Sequence, residues 1–326
     1  MIRQSLSIAT LAVGLGGLSV HAAESKAILT PDSSVKIADS KGKFDFLEVD
    51  SFNHRLLAAH EKDETADFID LNSGQVLARL KTGPAVGITP DATGSKYYVS
   101  VQDDKRLAIV DAVSLKETGS IELPGETDAI LFDTKDGCIY VTHDNGEELW
   151  AVDAASAKVK ATIPMPSGPE CMAHDASTDR LYLNSKTTSQ VAVISTKTNK
   201  VVALWPTAPA TGPHGLAFDA EAGRIYVSGD NGILVAIDTK TGKVIGNAPI
   251  TPHVDQIAMD ASTKRIFCAG PGKMSVVQAT KDGVKSLGDV TTAETAKNVA
   301  VDPATHKVWT TYTDGTNSYA KSWSQP

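Results

Sequence analysis

Leu216-Ala217-Phe218-Asp219, then Arg224-Ile225-Tyr226-Val227-Ser228, then Leu234-Val235-Ala236-Ile237-Asp238, then the turn Thr239-Lys240-Thr241-Gly242-Lys243: this stretch decides the fold. Short β-branched and aromatic runs bounded by Gly, Asn, Asp and Thr are strand and hairpin signals, and the turn feeds a fourth strand. Read outward from this unit, the pattern recurs along the chain. An aspartate closes a short apolar run at Asp50, Asp91, Asp133, Asp175, Asp219, Asp260 and Asp302, at spacings of 41, 42, 42, 44, 41 and 42 residues. A four-stranded propeller blade takes about 40 to 45 residues. The sequence therefore predicts an all-β, seven-bladed propeller. No long stretch carries the 3.6-residue apolar period of a helix, which excludes helical solenoids.

The ends of the repeat fit a closed ring. The last copy has three strands, ending near Ser322-Trp323-Ser324, and lacks a fourth. Val35-Lys36-Ile37 precedes Asp50 by the same interval at which Val76 precedes Asp91. The N-terminal segment is thus expected to supply the outer strand of the last blade, leaving fewer free strand edges to aggregate. Before it, Arg3, the apolar run Leu6 to Leu18 and the small residues around Val20-His21-Ala22-Ala23 read as a secretory signal over residues 1–22, with cleavage after Ala23 as the alternative. The run is short for a membrane span, so an uncleaved anchor is the lesser reading. The expected mature protein is one propeller domain over residues 23–326, periplasmic or secreted, monomeric, with no membrane span after signal removal.

Composition narrows the function classes. With 31 basic and 39 acidic residues, the net charge is −8, which argues against nucleic acid as a partner. Cys138, Cys171 and Cys268 are odd in number and irregularly spaced, and make neither a disulfide framework nor a zinc pattern. No nucleophile elbow, phosphate loop or dinucleotide fingerprint occurs. Lys81-Thr82-Gly83 matches a β-lactamase fragment, but lies in a repeat turn without its partner motifs. The repeated aspartates precede tight turns and are explained by backbone N–H groups bonding to their carboxylates.

Ile139-Tyr140-Val141-Thr142-His143-Asp144-Asn145-Gly146 and Ile225-Tyr226-Val227-Ser228-Gly229-Asp230-Asn231-Gly232, with Gly168-Pro169 and Gly212-Pro213 before inner strands, carry a family resemblance. The mature chain resembles the YVTN-repeat, YncE-like β-propellers. Members of that family are mostly binding or uncharacterised proteins, so the resemblance implies a fold rather than a chemistry. The sixth and seventh repeats depart from it, with Cys268-Ala269-Gly270-Pro271 and Thr310-Thr311-Tyr312-Thr313.

Repeat alignment also assigns faces. The loop entering each first strand and the loop leaving each second strand open on one face, around the mouth of the central channel. Five residues before each anchoring aspartate stand Asp45, Val86, Asp128, Glu170, His214, Asp255 and Lys297. At the end of the second strand the column reads His60, Val101, His143, Ser185, Gly229, Gly270 and Tyr312. Asp45, His60, Asp128, His143, Glu170, His214, Asp255 and Lys297 are accordingly the candidate ligand-binding residues. Asp128, Glu170, His214 and Asp255 come from consecutive blades, and oxygen donors with an imidazole suit a divalent metal ion. The plainer reading is a wet channel lining that bonds only water. Cys171, beside Glu170, is either a small filler or a thiol poised near His143 or His214.

The function expected from these residues is an exported binding module presenting a polar, acidic mouth to a small molecule, metal ion or protein partner. The alternative is a metal-assisted hydrolase or lyase for a lactone, ester or sugar acid, with His143 or His214 as acid or base. Gluconolactonase-like propellers hold such a centre, and the chain resembles them only in architecture. A cell-envelope interaction protein using its blade edges is a third class.

Overall fold

In a computed structural model, which describes residues 27–326, seven four-stranded antiparallel sheets surround a central axis. The expected signal over residues 1–22 lies outside the described residues. The innermost strands are Leu47–Asp50, Ala85–Pro90, Thr127–Asp133, Pro169–Asp175, Pro213–Asp219, Gln256–Asp260 and the two-residue Ala300–Val301, in blades 1 to 7. Blade 7 is closed by Thr30–Ile37, which pairs antiparallel with Ser318–Ser324 from Thr30 opposite Ser324 to Ile37 opposite Ser318. Among the described residues no helix is long and apolar enough to cross a membrane.

Burial follows position within each blade. Second strands such as Arg224–Gly229 are buried on both faces after their first residue, because each is packed between neighbouring blades. Outer strands such as Lys200–Pro206 alternate exposed and half-buried residues, as expected where one sheet face meets water. The core is therefore a set of layers between blades. Between blades 4 and 5, for example, Tyr182 and Val193 pack with Leu216, Ile225 and Val235. Trp150, Trp309 and Trp323 are buried, and Trp205 lies over Gly242. Gly242 has φ +69°, and a Cβ there would run into the indole. Both conditions demand glycine.

The seven repeated aspartates do what the turn chemistry requires. Each accepts a backbone N–H from two residues ahead through Oδ1, from Phe52, Thr93, Lys135, Ser177, Glu221, Ser262 and Ala304. The period that reveals the fold is thus a period of hairpin closure.

One blade junction departs from the pattern. The short inner strand of blade 7 leaves blade 6 facing blade 1 near the axis, and a side chain fills the gap. Gln256 Oε1 accepts from Leu47 N (3.1 Å) and Val299 N (3.3 Å), while its Nε2 donates to the Leu47 carbonyl (2.7 Å). The amide completes both halves of a backbone-like pair.

Candidate functional site

The mouth is built by bulges. In blades 3, 4 and 5 the inner strand gains one residue against its partner, between Thr127 and Ile130, Pro169 and Met172, and Pro213 and Leu216. A bulge leaves a residue unpaired and re-aims its side chain. The bulged segments contain Asp128, Glu170 and His214. Their carbonyls are held by side chains from second strands: Thr142 Oγ1 donates to Ala129 O (3.3 Å), and Asn184 Nδ2 to His214 O (2.7 Å).

These residues, with Asp45, Asp255 and Lys297, share the rim. His214 Nε2 is 3.1 Å from Glu170 Oε2, and its Nδ1 donates to the Asp255 carbonyl at 2.7 Å. Lys186 lies 3.4 Å from Glu170 Oε1, and Lys297 lies 3.3 Å from Asp255 Oδ2. Among the described residues, Asp45 and Asp128 make no ion pair.

The electrostatics follow from that imbalance. Burial, then the neighbouring Asp128 charge, pushes Asp45 well above the usual carboxylate range. Burial, then the Glu170 and Asp144 charges, raises Asp128 to about 8. Burial raises Glu170 to about 7 against the pull of Lys186, and burial together with Lys186 lowers His214. Since a carbonyl only accepts, His214 carries its proton on Nδ1. One further proton is then shared between Nε2 and Glu170, so the pair can hold or pass a proton near neutral pH.

A stability profile follows. Asp128 and Glu170 bind protons more tightly folded than unfolded, so the folded state holds more protons between about pH 4 and pH 8. Stability falls as pH rises through that window. The thermal midpoint is expected to drop between pH 5 and pH 8.5. Asp128→Asn should be more stable than the wild type at pH 8.5, by on the order of 1–3 kcal/mol, and close to it at pH 5. Identical pH profiles for the two proteins would count against this electrostatic picture.

Other residues named from the sequence lie elsewhere. His60 is fully buried inside blade 1, stacked 3.7 Å from Phe44, with Nδ1 2.8 Å from Asp67 Oδ2 and Nε2 3.0 Å from the Gly42 carbonyl. His143 turns toward its own blade, with Nδ1 2.5 Å from Glu148 Oε2 and its ring against Trp150. Gly125 and Gly146 flank that ring so closely that neither has room for a Cβ. The rim-facing column is displaced by one residue from the expected one, because side chains on a strand alternate sides. The next column, Glu61, Gln102, Asp144, Lys186 and Asp230, is the one that reaches the rim: Gln102 bonds Asp144 at 2.8 Å, and Lys186 meets Glu170.

The expected four-donor metal arc is not assembled. Both His214 nitrogens, Glu170 Oε1 and Asp255 Oδ2 are engaged pairwise by neighbours. Among the described residues, no group of three or more His, Cys, Asp or Glu is gathered to hold an ion. The three cysteines are free and buried. Cys171 Sγ donates to the Asp255 carbonyl, and burial raises its thiol well above the ordinary value, which opposes a thiolate nucleophile.

The family model described as "Domain of unknown function (DUF5074)" matches residues 64–325. The chain belongs to the DUF5074 family. No curated protein matches. Among solved structures, this DUF5074 chain is similar to one titled Kuenenia stuttgartiensis hydrazine synthase, at TM-score 0.75 and 14% identity, covering 87% of this chain and 96% of that one. It is also similar to a chain in a crystal structure of the mitotic checkpoint complex, at TM-score 0.78 and 13% identity, covering 98% and 99%. At such identities the likeness is one of propeller fold alone.

Proposed function

We propose that this DUF5074 propeller is a non-catalytic binding module, working outside the cytoplasm, whose mouth captures a small cationic organic ligand. One observation carries the reading: Asp45 and Asp128 sit on a crowded acidic rim without an ion-pair partner among the described residues, while the lysines present are drawn to other carboxylates. A protonated amine or guanidinium would supply the missing charge and let Asp128 give up its proton. Metal-assisted hydrolysis draws less support, since Glu170, His214 and Asp255, three of the four donors it needs, are already engaged. Export rests on the sequence of residues 1–22, and membership of the YVTN type on repeats such as Ile139-Tyr140-Val141-Thr142.

Calorimetric titration with 1,4-diaminobutane and with arginine, in buffers of differing ionisation heat at pH 7.5, tests the reading. Saturable binding with proton release is expected, weakened at least tenfold by Asp128→Asn combined with Glu170→Gln. Absence of binding by both probes, or undiminished binding in the double variant, would remove the mouth as a cation site.

A further inference from the structure

Beside the Gln256 bridge, toward the hairpin-turn face, a further carboxylate, Glu48, borders open space. Cavities of about 400 and 360 Å³ share Leu47, Glu48, Gln256 and Ile257, so both border Glu48. Spaces of this size accommodate small organic ligands. Inner-strand register explains the room. Two residues before the anchoring aspartate stand Glu48, Thr89, Leu131, Ala173, Ala217, Ala258 and Ala300. Ala217, Ala258 and Ala300 line the first cavity, leaving space where Glu48 projects.

Apolar side chains stand among polar surface on the rest of the wall, with Ile88, Ile130, Met172 and Leu216 on one side and Met259 on the other. Phe52, 60% exposed, stands at the opening. Two other carboxylates reach these cavities, and both are occupied by their turns: Asp91 accepts from Thr93 and Ser95, and Asp260 from Ser262 and Gln325. Glu48 has no such claim on it. Among the described residues its carboxylate takes part in neither a hydrogen bond nor an ion pair. Glu48 itself is exposed to lumen water, and the protein around the lumen, with the nearby Asp50 charge, raises it to about 7.

We infer that this axial cavity is a second binding site, distinct from the mouth, for a compact apolar or aromatic body carrying one protonated amine, with Glu48 as counter-ion. A neutral ligand would leave the Glu48 carboxylate unanswered, and an anion would be repelled by it. The mouth residues Asp128 and Glu170 line neither cavity, so each site can be disabled alone.

The probe is 2-phenylethylamine, with 2-phenylethanol as its neutral counterpart, titrated calorimetrically into the mature chain at pH 8. Saturable binding of the amine is expected, at least tenfold tighter than the alcohol. Glu48→Gln should weaken the amine at least tenfold, and Ala258→Leu, which fills the cavity, should also weaken it tenfold. Asp128→Asn with Glu170→Gln should leave it unchanged, whatever happens to mouth ligands. Thermal melts establish that each variant is folded. The inference is overturned if the wild type fails to bind the amine saturably, if folded Glu48→Gln and Ala258→Leu both retain wild-type affinity, or if the mouth variant abolishes binding.

Discussion

Deleting residues 27–37 is expected to leave a protein that unfolds at far lower urea and aggregates on refolding. The strand Thr30–Ile37 is the outer partner of Ser318–Ser324, so its loss exposes a full row of backbone groups along blade 7. It also uncovers a core layer. Ile37 is fully buried with Phe44, Leu47 and Trp309, which belong to blades 7 and 1 and the segment between them. Asp32 accepts from Ser324 Oγ at 2.8 and 2.9 Å, a further tie lost with the strand. Ile37→Ala alone should cost about 2–5 kcal/mol, a large share of the roughly 5–15 kcal/mol that holds a typical domain folded. Urea midpoints and light scattering measure both effects. A truncated protein with the parent's midpoint would mean that the closing strand contributes little.

Asp50→Ala is expected to be the most damaging single change at a turn. Asp50 is fully buried and accepts from Phe52 N (2.9 Å), Asn53 Nδ2 (2.7 Å) and Tyr97 Oη (2.6 Å). Tyr97 belongs to blade 2, so the carboxylate joins two blades as well as closing its own hairpin. Arg55 Nη1 adds a contact to Tyr97 Oη at 3.0 Å. Alanine would strand these donors in a buried place, at about 3–5 kcal/mol. Asp111 makes the same turn contacts to Ser114 at the surface, where water can replace them. Asp111→Ala should therefore have a much smaller effect. Similar losses in both variants would show that the inter-blade bond to Tyr97 is of little energetic weight.

The architecture was legible because its signal is repeated. One aspartate per blade, needed to fold each hairpin turn, marks the period in any single copy and confirms it in the others. The closing strand was visible for the same reason, through the matching interval from Val35 and Val76 to the aspartates that follow them. The mouth was legible only in part. Counting back from the aspartate led to Asp128, Glu170, His214, Asp255 and Lys297, which the structure brings to one rim. The second-strand column points to His60 and His143, whereas the structure brings the next column, with Glu61, Asp144 and Lys186, to the rim. The columns carry no mark of which side faces the axis. Glu48 is hidden inside an apolar strand, where only comparison with Ala217, Ala258 and Ala300 reveals it as the odd member.

Gln256 gives the circle two independent fastenings at its seam. At the outer edge, the first and last described strands lie together as neighbours; at the hub, a single amide stitches the sixth sector directly to the first. Opening of the outer pair of blade 7 would accordingly leave the tie between the sixth and first sectors in place.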